Sequence, residues 1–145
     1  MTSRVTALLR KIFEHTADAG IEVESDSLSE AFHELSLSFT EIVTGGNLTD
    51  KKQSFDIDLC SEDLESLLVK YVSHLIFLFD TEDFLPSLVK LDVQITDSCK
   101  LNGLIYGDFY DENKYGYGVE IKAISYHMLE ISLGPPSKIV IVLDL

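Results

Sequence analysis

The chain reads as an α+β protein: a single-domain, two-layer sandwich in which two helices lie on a mainly antiparallel or mixed sheet. Three observations lead there. Runs in which apolar and polar residues alternate, the period of a half-buried strand, recur near the N-terminus and through the middle of the chain. Two stretches repeat apolar residues every three to four positions, the period of a helix with one buried face. Their order is two strands, a helix, a strand, a helix and then four strands, which lacks the regular alternation of a doubly wound α/β fold. The 145 residues suit one domain, 1–145, of a size that buries about 68–70% of the surface its unfolded form exposes.

From the N-terminus, "KIFEH" (11–15) and "GIEVES" (20–25) read as strands joined across "TADA" by a tight connection. Ser27 then opens a helix, because Ser27 with Glu30 three residues on forms a capping box that satisfies two orphan backbone N–H groups. Leu28, Ala31, Phe32, Leu35, Phe39, Ile42 and Val43 make its apolar stripe, and Gly45 and Gly46 end it. "QSFDIDL" (53–59) alternates Phe55, Ile57 and Leu59 against Asp56 and Asp58 as a half-buried strand. Ser61 is the expected N-cap of the second helix, with Glu62 and Asp63 at its positive end. That helix carries Leu64, Leu67, Leu68, Tyr71, Leu75 and Phe79 on one face; Ile76, Phe77 and Leu78 make its last turn apolar all round, an end for the domain or a partner to bury. "LVKLDVQIT", "LNGLIYGDF", "YHMLEISL" and "KIVIVLDL" supply the four remaining strands.

Charge narrows the function. Twenty-five acidic side chains against 11 basic ones give a net charge of −14. Such a surface repels phosphate backbones, so any tie to RNA runs through a basic partner or a bound cation. Cys60 and Cys99 stand far apart with no zinc-ligand spacing, and free thiols are expected. The opening "MTSRVTALLRKIF" is a poor signal peptide. No segment approaches the roughly 18 uncharged apolar residues of a membrane span. A cytoplasmic protein with no membrane partner is expected.

The chemistry-bearing candidates lie in three stretches and the tail. In "EHTADAG" (14–20), Asp18 sits in the tight connection, where an Asx turn is its simplest role and a site carboxylate the alternative; His15 reads as a hydrogen-bonded strand histidine. The last strand, "IVIVLDL", ends in Asp144 and Leu145. If it lies beside the first strands, Asp18 and Asp144 come together, and two like charges at close range call for a cation between them or a proton on one. Oxygen ligands alone, with Leu145 adding a carboxylate or backbone oxygen, favour a hard divalent ion, Ca2+ or Mg2+, over zinc. "GDFYDENKYGYG" (107–118) reads as a mobile surface hairpin in which Asp108, at a strand end, is a further candidate carboxylate and Asp111 and Glu112 are solvated. It lacks the lysine spacing of a phosphate-binding loop. In "IKAISYHMLEI" (121–131), Lys122 and His127 interrupt an apolar pattern; His127 reads as a hydrogen-bonded core histidine, and His33 and His74 as ordinary helix residues. No nucleophile elbow or cysteine–histidine pairing marks a nucleophilic enzyme.

Taken together, "FEHTADAGIEVES" with "SLSEAF", then "IKAISYHMLEI", then the terminal "VIVLDL", resemble the archease family nearly end to end. The resemblance implies an α+β accessory protein, itself not an enzyme, that serves an RtcB-type RNA ligase in tRNA splicing and RNA repair. Such a protein promotes guanylylation of the ligase by GTP and its repeated turnover, and meets RNA only through the ligase. It also implies metal ligation by Asp18, Asp144 and Leu145, with His15, Asp108, Lys122 and His127 as site support or partner contacts. Where relatives commonly have Gly-Glu, this chain has Gly107-Asp108, one methylene shorter. A chaperone or modulator of RNA-modifying enzymes is the second reading, and a metal-dependent hydrolase, lacking an identified base, the third.

Overall fold

The computed structural model describes residues 7–14 and 17–145, with side chains described at 10–12 and from Ala17 onward. Strands β1 (Ala7–Glu14) and β2 (Asp18–Ser25) lead into helix α1 (Leu28–Thr44), then β3 (Gln53–Ser61), α2 (Leu64–Glu82), β4 (Phe84–Ile95) and β5 (Cys99–Phe109). A single turn, α3 (Glu112–Tyr115), precedes β6 (Ala123–Ser132) and β7 (Ser137–Asp144). The α+β class holds, and every strand pair is antiparallel. The strands divide between two sheets, ordered β1-β2-β7-β6 and β3-β5-β4. Helix α1 packs on β1, β2 and β7 of the first and on β4 of the second, while α2 touches β6 of the first and all three strands of the second. One core, including Ile21, Phe32, Tyr71, Leu101 and Ile141, therefore joins both sheets through the helices.

The local signals explain most element ends. Ser27 Oγ accepts the Glu30 N–H at 3.2 Å, and Gly45 closes α1 with φ of 82°, donating its N–H to the Glu41 carbonyl. The second helix starts later than expected. Asp63, not Ser61, is its N-cap, accepting the Ser66 N–H at 2.7 Å, because Ser61 is still paired with Cys99 in the β3–β5 ladder. The apolar end of α2 is buried by the domain, with Leu75, Ile76 and Leu78 in the core and Phe77 alone 57% exposed. Cys60 is exposed and Cys99 buried, both as free thiols.

Strand β4 is an edge, and side chains seal it. His33 Nδ1 accepts the Val89 N–H at 3.1 Å, and Thr40 Oγ1 donates to the Pro86 carbonyl at 2.5 Å. The ladder to β5 is irregular between Pro86 and Leu88, as expected where a proline without an N–H sits on an edge. Strand β7 is interior, with β2 on one side and β6 on the other. Its residues Ile139, Ile141 and Leu143 are fully buried and Val140 and Val142 nearly so, which accounts for the unbroken apolar run of the tail. Among the described residues no helix is long and apolar enough to cross a membrane.

Candidate metal corner

Asp18 is the first residue of β2 and Asp144 the last of β7, and the register places them directly opposite each other. The Leu145 N–H donates to the Ala17 carbonyl at 3.0 Å. That bond makes 17 and 145 a hydrogen-bonded pair, so Asp18 and Asp144 form the next, non-hydrogen-bonded pair, the type with Cα atoms about 4.5 Å apart and side chains closest. Both point away from the core, since Ala19 and Leu143 on either side are fully buried. Asp18 is half-buried and Asp144 exposed. On the far side of β7, the Lys122 N–H donates to the Asp144 carbonyl at 2.8 Å. The tail is therefore held on both flanks up to its last acid, and the corner is fixed rather than frayed.

Two carboxylates and main-chain oxygens fit a hard divalent ion, which takes six or more oxygens at Ca2+ and about six at Mg2+. Among the described residues no cluster of three or more His, Cys, Asp or Glu side chains could hold a metal. Asp18, Asp144 and a Leu145 oxygen would leave several coordination positions to water or a partner. Leu145 is half-buried and packs on the core. His15 lies outside the described residues.

The other candidates lie elsewhere. Asp108 is on β5, in the other sheet, and is buried against the segment that follows it. Its Oδ2 accepts the Tyr115 hydroxyl proton at 2.5 Å, and its Oδ1 accepts the Phe109 N–H at 2.9 Å. The same hydroxyl accepts the Asp50 N–H at 3.1 Å, and Lys114 Nζ lies 2.8 Å from Asp50 Oδ2. Burial, with the Asp108 hydrogen bond second, raises the Tyr115 pKa, so the phenol stays a donor. The hydrogen bond from Lys114 lowers the Asp50 pKa, and its reciprocal raises that of Lys114.

Residues 107–118 are thus no mobile hairpin. They cross from one sheet to the other, anchored by Tyr115 and by Gly118, whose N–H donates to the Val43 carbonyl at 2.7 Å. Asp111 and Glu112 are exposed as expected, Asp111 capping α3. His127 is not a core histidine: it is exposed, within an irregularity of β6 between Ser125 and Glu130 that turns residues 126–128 outward. Lys122 is likewise exposed, and joins the corner through its backbone. Tyr115, Lys114 and Asp50 carry no motif that singles them out in the sequence; the density of tyrosine and glycine in 107–118 is the one signal that points to them.

A family model described as the Archease protein family (MTH1598/TM1083) matches residues 11–145. The chain belongs to the archease family. Protein archease of Pyrococcus furiosus is 35% identical over 87% of this chain and 89% of its own length. That of Pyrobaculum neutrophilum is 33% identical over 81% and 82%. The solution structure of Methanobacterium thermoautotrophicum protein 1598 superposes with a TM-score of 0.79 at 31% identity, over 94% of this chain and 98% of that one. The crystal structure of a Thermotoga maritima archease, described as a possible chaperone, has the same fold at 24% identity, with a TM-score of 0.61 over the same shares. The matched residues, 11–145, include β2 and β7 of the first sheet, the strands that carry Asp18 and Asp144.

Proposed function

We propose that this archease is a cytoplasmic, non-catalytic activator of an RtcB-type RNA ligase, promoting its guanylylation by GTP and its repeated turnover in tRNA splicing and RNA repair. The observation that carries this reading is the Asp18–Asp144 pair, held rigidly by β2, β7 and the Lys122 N–H at an exposed corner of an acidic protein. Asp18, Asp144 and Leu145 would hold Ca2+ or Mg2+ there. When bound, such an ion supplies positive charge that offsets the two carboxylates and attracts phosphate oxygens. The chain's own contribution is position: the flanking ladders keep both carboxylates at one point while the negative surface steers the protein onto a basic, RNA-handling partner. RNA is met only through that partner.

The test is single-turnover transfer of radiolabelled GMP from GTP to the cognate ligase, with wild-type protein and with folded Asp18→Ala and Asp144→Ala variants. Acceleration by the wild type that disappears in both variants is expected. Equal acceleration by all three would overturn the role of the pair. A general chaperone is the second reading, since the similar Thermotoga maritima archease is described as a possible chaperone. That activity would suppress aggregation of unrelated proteins and survive both substitutions.

A further inference from the structure

We propose that the outward bulge Tyr126–His127–Met128 of β6 is a docking finger that seats the protein on its ligase partner, by entering an apolar pocket rimmed with lysine and arginine. The inference rests on the activator reading and specifies the surface that reading requires.

The ladder between β6 and β7 is continuous through Ser125, which pairs with Val142, and resumes at Glu130, which pairs with Val140. Four residues of β6, 126 to 129, therefore stand opposite Ile141 alone. A bulge of this kind breaks an edge strand's pairing and re-aims its side chains. Here it sends two large apolar side chains into solvent: Tyr126 is 75% and Met128 58% exposed. Met128 also holds φ of 59°, a left-handed conformation unfavourable for a residue other than glycine. Leu129 and Ile131 still pack on the core, so the projection belongs to 126–128 and not to the whole strand.

Charge and position select the occupant. Met128 lines an open cleft of about 480 Å3 with Glu22, Glu130, Lys138 and Val140. Lys138 lies between the two carboxylates, 3.7 Å from Glu22 and 3.8 Å from Glu130, so one ammonium faces two acids and the cleft stays negative. The chain as a whole carries −14. An apolar finger in a negative setting complements a basic protein surface with an apolar pocket. Tyr126 lies three residues beyond Ala123, the β6 partner of Asp144. At about 3.3 Å per residue, the finger stands some 10 Å from the corner, within reach of one partner contacting both.

The test uses full-length protein and the cognate ligase, with affinity measured calorimetrically for the wild type and for the Tyr126→Ser/Met128→Ser double variant at two salt concentrations. Both positions are solvent-exposed, and an unchanged urea unfolding midpoint establishes that the variant is folded. At least a tenfold loss of affinity is expected, with wild-type binding weakening as salt rises and GMP transfer restored by excess variant because Asp18 and Asp144 are intact. Unchanged affinity overturns the finger while leaving the activator reading standing. So does a wild-type self-association that the double variant abolishes without loss of ligase binding, which would make the finger a contact between copies. Failure of the wild type to bind the ligase overturns the activator reading and the finger with it.

Discussion

The Tyr115 hydroxyl donates to Asp108 Oδ2 at 2.5 Å while accepting the Asp50 N–H, so one buried oxygen ties the end of β5, the turn α3 and the loop after α1 together. Tyr115 is 5% and Asp108 9% exposed. Tyr115→Phe keeps the ring and removes the hydroxyl, leaving a buried carboxylate oxygen and a backbone N–H without that partner. A loss of about 1–3 kcal/mol is expected, read from urea unfolding. A change below about 0.5 kcal/mol, typical of ordinary surface substitutions, would show that solvent replaces the bond.

His33 makes stability fall with acid. Burial, outweighing the opposing pull of Glu34, lowers its pKa below the usual 6.5, with Arg10 and Lys51 adding to the lowering and Glu30 opposing it. Its Nδ1 must stay unprotonated to accept the Val89 N–H. Because the folded pKa is depressed, the unfolded chain binds more protons as pH drops below 6.5; the contribution is complete above that value and declines until the folded pKa is passed. His33→Gln, which retains an acceptor but no titration, is expected to flatten the loss of stability between pH 7.5 and pH 5.5. The slope would not vanish, since burial lowers the pKa of His74 as well. Identical slopes in variant and wild type would refute the assignment.

The corner predicts a response to metal. A ligand that binds only the folded state at 100 times its Kd stabilises by about 2.7 kcal/mol, or about 5–10 °C in Tm for a domain near this size. Calcium added to chelator-treated protein is expected to raise Tm on this scale for the wild type and to leave Asp144→Asn unmoved. Equal shifts in the two proteins would place any ion elsewhere.

What the sequence discloses follows the range of the forces involved. Helix α1 is legible to the residue at Ser27 and Gly45 because caps are local. The apolar tail announces a buried strand, since only an interior position asks for apolar residues on both faces. The partition of strands is not legible: alternation says that a strand has one buried face and not which sheet it joins. Asp108 has the same difficulty, because its partner Tyr115 reaches it only once α3 has turned back. At His127 the local rule misleads. Flanking apolar residues suggest core, but a four-against-one bulge puts Tyr126 and Met128 in solvent, and only the pairing with β7 shows it.

Gly118 links the anchored segment to the corner. Its N–H bonds the Val43 carbonyl, and the Val119 N–H bonds that of Ile42, so the chain leaves α3 along the last turn of α1 before Lys122 reaches Asp144. A Cβ on Gly118 would lie 2.2 Å from the Ile42 carbonyl oxygen and 2.9 Å from the Gly45 nitrogen, both backbone atoms that cannot swing aside. Gly118→Ala must therefore push residues 116–122 off the helix end, at a cost of about 1–3 kcal/mol for overpacking. The displacement should also reach the Lys122 N–H that supports the Asp144 carbonyl, reducing the calcium-induced rise in Tm. A variant that loses stability yet keeps the whole rise would show that the β2 and β6 ladders position the last acid without the Lys122 bond, with the segment from Asp108 to Lys122 serving the core and not the corner.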